Sequence, residues 1–133
     1  MTEMPEITTQ EKALSAADRI SLAPADITPI QAADLALEYF RDKQRIFERR
    51  LVALRSVVPD HVRTAWDAQA EKYAQISQAI DKGDTRPVKE FVMRAGMDLN
   101  KQAQNPDKRH MGKFGSSLYT VGSRMQVSVG RHR

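Results

Sequence analysis

With 133 residues, no cysteine and only 6% aromatic residues, the chain has room for one domain, and its core must be built mainly from Leu, Val, Ile and Ala. The missing thiols exclude disulfides and thiolate metal sites. No run of about 18 apolar residues is present, which argues against a transmembrane helix, and the opening MTEMPEITTQ lacks the basic-then-apolar pattern of a signal peptide. The expectation is a soluble, cytoplasmic protein. Charge is distributed unevenly behind a net +4. Residues 1–40 hold seven acidic and two basic side chains, a balance of −5, whereas residues 101–133 hold one acidic and seven basic, a balance of +6. An acidic head and a basic tail point to partners rather than to a fold.

The chain divides into an acidic N-terminal arm (1–27), a helical core (28–104) and a basic C-terminal region (105–133). In the arm, Thr8 and Glu11 have the spacing of a capping box, and Leu14, Ala17 and Ile20 recur at helical spacing, which predicts a short helix over roughly 9–21. Ser21 to Thr28, with Pro24, reads as a linker.

The core is organised on one long helix predicted over about 29–58. Ile30, Ala33, Leu37, Phe40, Gln44, Phe47, Leu51, Leu54 and Val58 alternate three and four apart, and only Gln44 is polar. That is a heptad seam. Thr28, Pro29 and Gln31 sign its start, and Pro59 ends it. Such a seam is buried either within an intramolecular helical hairpin or bundle or in a dimeric coiled coil, where Gln44 would fix register. A second helix is expected from Asp60 as cap to about Lys82, before Gly83, with Val62, Trp66, Ala70, Tyr73, Ile76 and Ile80 on one face. Folded back on the first, it would lay Trp66 and Tyr73 over the Phe47–Leu54 part of the seam. A third helix is expected from Arg86 to about Gln104, with Val88, Phe91, Val92, Ala95 and Leu99 as its stripe and Gly96 as a weak point. The Asn105-Pro106-Asp107 turn is expected to close the helical part.

Beyond it, Ser117–Val121 and Arg124–Val129, joined by Gly122-Ser123, read as a C-terminal β-hairpin with Gly at the first turn position. A lone hairpin is marginal in water, so a flexible basic tail is the alternative. The expected fold is therefore mainly α: a small helical bundle on one long helix, with a C-terminal β-hairpin or basic tail.

Enzymatic chemistry finds little support. No nucleophile stands beside a base at a recognisable spacing, His61 opens a helix, and His110 and His132 lie in the basic region. No HExxH, GxxxxGK[ST] or GxGxxG is present, and Gly112-Lys-Phe-Gly115 reads as a flexible turn. No catalytic residue, metal ligand, cofactor or small-molecule substrate is expected, and no membrane partner.

Two binding readings remain. The first is a non-enzymatic assembly protein that joins a protein partner, or a second copy, through the seam residues Phe40, Gln44, Phe47, Leu51 and Leu54. The second is a nucleic-acid-binding accessory protein. There Lys101, Lys108, Arg109, Lys113, Arg124, Arg131 and Arg133 would contact phosphates, and Phe114 and Tyr119 would stack on bases. Arg41, Lys43, Arg45, Arg49 and Arg50 form a separate basic set on the long helix. No helix-turn-helix pattern is evident, so such binding would be backbone-directed and weakly specific.

Overall fold

The computed structural model describes residues 14–130. Five α-helices follow in order: α1 (Ala16–Leu22), α2 (Pro29–Leu54), α3 (Asp60–Asp81), α4 (Arg86–Gln102) and α5 (Met111–Arg124), with a 3-10 turn at Pro106–Lys108 before the last. No strand occurs among the described residues, and the chain is mainly α.

Local chemistry sets most helix ends. The Ser15 hydroxyl accepts from the Asp18 N–H at the start of α1. The expected Thr28–Gln31 capping box forms both of its bonds ahead of Pro29, and Gly83 adopts a φ of 84° after α3, a conformation that side-chain-bearing residues resist. Asp60 does not cap α3. Pro59 holds that position, and the Asp60 carboxylate pairs with Arg63 at 2.7 Å instead. The capping box of Thr8 and Glu11 lies outside the described residues. With 26 residues α2 is about 39 Å long, ending a turn earlier than the periodicity suggests because residues 55–58 turn back toward α3.

Two opposite kinds of helix contact build the interior. Between α2, α3 and α4 the spacers are rings. Phe40 is fully buried and lies 5.6 Å from Tyr73 and 5.2 Å from Phe91, centroid to centroid. Phe47 meets Tyr73 at 5.3 Å and Trp66 at 6.4 Å, and Tyr39 bridges Phe91 to Phe114 at 6.4 Å each. Seven of the chain's eight aromatic side chains thus form one continuous cluster, and Trp66 and Tyr73 cover Phe47 as the seam requires.

Between α4 and α5 there are almost no spacers. A Cβ on Gly96 would lie 2.7 Å from the Tyr119 backbone nitrogen and 2.8 Å from the Gly115 carbonyl oxygen. One on Gly115 would lie 2.9 Å from the Leu99 Cβ, and one on Gly122 would reach the Met93 side chain at 2.8 Å. Gly122 faces residues 92–93 and Gly112 faces Ala103, so the two helices run antiparallel with their backbones nearly touching. Lys89 of α4 completes the pair, donating to the carbonyls of Gly122 at 2.9 Å and Ser123 at 2.7 Å at the end of α5.

This contact overturns the expected β-hairpin. Residues 117–124 are helical, residues 125–130 run on without helix, and Gly122 is a packing residue rather than a turn residue. The physical reason is that Met111, Phe114, Leu118, Val121 and Met125 also recur at helical spacing. Burying that stripe while the glycines seat against α4 removes more apolar surface from water than a two-stranded ribbon could. The segment after α5 is tied down. Gln126 donates to the Pro29 carbonyl at 3.0 Å, and the Thr85 and Ser128 backbones are joined by a 2.8 Å bond from the Thr85 N–H.

Burial raises the Tyr39 phenol from its usual 10.0 to about 12, reinforced by the neighbouring Tyr73, which burial also raises. In the unfolded chain the phenol ionises near 10, so between pH 10 and 12 the native state holds a proton that the unfolded state has lost. Stability present below pH 10 is therefore lost as the pH rises toward 12. In denaturation series across this range, the melting temperature of wild type should fall more steeply than that of Tyr39→Phe. Parallel curves would show that Tyr39 is not the group responsible. The glycine contact makes a second prediction with an unusual sign. In an open helix Gly96→Ala would stabilise by about 1 kcal/mol. Here it forces α4 and α5 apart and should destabilise by roughly 1–3 kcal/mol in urea unfolding.

Candidate interaction surface

α2 carries two neighbouring heptad rows. The first is the expected seam. The second is offset from it: Ala32, Ala36, Tyr39, Lys43, Ile46, Arg50, Ala53 and Val57, again alternating four and three apart, with Val57 in the turn just past the helix. Over the first two turns of α2, before Tyr39 and Phe40 are both buried, it is the second row that is buried. Ala32 and Ala36 are inaccessible and Tyr39 nearly so, whereas Ile30 of the first row is 65% exposed. The cause is the number of neighbours, since here α1, α4 and α5 crowd one side of α2.

The expected association residues follow from the same geometry. Phe40 and Phe47 are buried within the chain, Gln44 and Leu51 are half-buried, and Leu54 remains 43% exposed near the hairpin tip. α3 and α4 of the same chain close most of this seam. Arg55 fastens the tip, donating to both Asp67 carboxylate oxygens at 2.9 and 2.7 Å, which holds the Asp67 carboxyl below its usual range. Arg63 adds bonds to the carbonyls of Arg55 and Val58 at 2.9 and 3.0 Å.

The second row surfaces abruptly after Tyr39. Lys43, Ile46, Arg50, Ala53 and Val57 are all exposed, Ile46 at 50% and Val57 at 72%. α2 continues fifteen residues beyond Tyr39, about 22 Å, whereas α5 begins only three residues before Phe114, the ring it packs on Tyr39. Past that point one flank of α2 is left uncovered by the described residues, while α4 still runs beside α3 as far as Asp98, and the tip of the α2–α3 hairpin projects as a two-helix arm.

The cations sort by the same boundary. Lys43 folds over the Tyr39 ring, its Nζ 5.5 Å from the centroid. Lys113 adjoins Phe114, while Lys108, Arg109 and Lys101 lie on or next to the α4–α5 connection, all exposed and outside every ion pair among the described residues. The structure thus brings two basic sets that are far apart in sequence, one on α2 and one around the α4–α5 connection, to the same end of the bundle. Arg45 pairs with Asp42, and Arg41 donates to the Ser77 hydroxyl at 3.2 Å.

Other expected contact residues are occupied. Phe114 belongs to the ring cluster. Tyr119 is exposed at its ring, but its backbone lies against Gly96. Arg124 donates from Nε to the Ile27 carbonyl at 3.1 Å, tying α5 to the start of α2. Arg131 and Arg133 lie outside the described residues. Ile46, Ala53 and Val57 escaped sequence reasoning because the stronger first row masked the second, although the alternating spacing was there to find.

A groove of about 590 Å³ runs between α3 and α4 over Ile76, Phe91 and Ala95. Its rim mixes Lys72 and Arg94 with Glu90 and Asp98, so no single charge dominates it.

These features define an all-α protein in which a glycine-packed base carries a projecting helical arm. No family model, curated protein or solved structure matches the chain. Arg124→Gln should lower stability by about 1–2 kcal/mol in urea unfolding through loss of the Ile27 bond. Salt-dependent retention on an anionic matrix should change far less than with Lys108→Gln plus Arg109→Gln.

Proposed function

We propose that the protein is a non-enzymatic assembly protein that works by helix packing, offering the projecting α2–α3 arm to a protein partner. One observation carries this reading: the heptad row buried as far as Tyr39 continues for five more apolar or basic positions, the last of them Val57, all uncovered by the described residues. Helical rows of this kind are the usual substrate of helix-to-helix recognition. The convergence of Lys101, Lys108, Arg109 and Lys113 at the foot of the arm favours a second reading, phosphate-directed binding of nucleic acid.

A photo-crosslinking amino acid placed at Val57, and as a control at the exposed Met97 on α4, separates these readings in the protein's native cells. The assembly reading expects a discrete protein adduct from position 57 that position 97 does not give. An adduct destroyed by nuclease would favour the second reading, and no adduct, or the same adduct from both positions, would overturn the first.

A further inference from the structure

Resting on the assembly reading, we infer that the partner element is an acidic amphipathic helix that lies along Lys43, Ile46, Arg50, Ala53 and Val57 and takes the place α5 vacates. Three features of this flank select that chemistry. Its positions alternate four and three apart, the spacing a second helix matches with its own apolar row. Its apolar members are substantially exposed, Ile46 and Val57 above all. Its polar members are cationic: Lys43 and Arg50 stand in the row, Arg49 stands beside it, and Lys108, Arg109 and Lys113 lie at its foot. Asp42 of α2 is already engaged by Arg45 and the Ala16 N–H.

The alternatives fit less well. Nucleic-acid phosphates would satisfy the cations but leave Ile46, Ala53 and Val57 without a counterpart. An anionic bilayer offers both charge and apolar contact, yet a flat surface does not reach into the step between the arm and the end of the bundle. A helix fits both. Within α2 the row runs from Lys43 to Ala53, about 15 Å or roughly three helical turns, and Val57 extends it into the turn beyond.

The probe is a synthetic peptide of about four helical turns, with Leu at alternating three- and four-residue spacing and Glu at the remaining exposed positions. A scrambled peptide of the same composition, a duplex DNA and anionic phospholipid vesicles are run in parallel. Binding to the full chain is followed by fluorescence anisotropy and by backbone amide NMR. The amphipathic peptide should shift amides between Lys43 and Val57 and around Lys108–Lys113, and should bind at least tenfold tighter than its scramble. Arg50→Glu with Arg109→Glu, and separately Ile46→Ser with Val57→Ser, should each weaken it roughly tenfold while the melting curve stays within a few degrees of wild type. Equal binding of the scramble, shifts confined to other surfaces, or tighter binding of DNA or vesicles through the same residues would each overturn the inference. A position-57 protein adduct in cells without peptide binding would overturn the inference alone and leave the assembly reading standing.

Discussion

The close approach of α4 and α5 at Gly96 and Gly115 is the constraint on which the rest of the molecule is built. With backbone atoms of one helix where the other's Cβ atoms would be, this pair forms a narrow platform held by dispersion and by Lys89 at the end of α5. A narrow platform needs few large side chains, and this chain has few. Its rings are spent instead on the opposite side, where Phe40, Phe47, Trp66, Tyr73 and Phe91 fill the wider gaps among α2, α3 and α4. Tyr39 and Phe114 join the two regimes.

That division of material also explains the arm. The base is short because α5 has only 14 residues and α4 only 17, while α2 has 26 and α3 has 22. Helices that outrun their neighbours must either turn polar or find other cover. The row facing α3 is covered by Trp66 and Tyr73, and the tip is latched by Arg55 and Arg63. The other row alternates cations with apolar side chains, a composition that stays in water at modest cost yet retains the spacing for a partner helix.

Much of the fold was legible before any coordinates. Capping chemistry at Thr28, proline at 29 and 87, and the glycine at 83 mark helix ends through local sterics and hydrogen bonding. The fold-back of α3 on α2 follows from their apolar stripes and the short turn between them. The error in the C-terminal third has a definite cause. Glycine is read locally as a turn former, and Ser, Thr, Val and Tyr as strand formers, because both tendencies belong to the isolated chain. In α5 those tendencies lose to packing, since small residues there permit an approach that larger ones forbid.

The amino-acid sequence by itself determined that the protein is helical, that one long helix organises it, and roughly where its helices begin. These properties depend on neighbours three to four residues apart. Only the tertiary structure decided which of two overlapping heptad rows is buried, that Gly122 packs rather than turns, and that cations near residues 43 and 108 share one end of the molecule. Each of those depends on which helix lies beside which, and on where the shorter helices end against the longer ones.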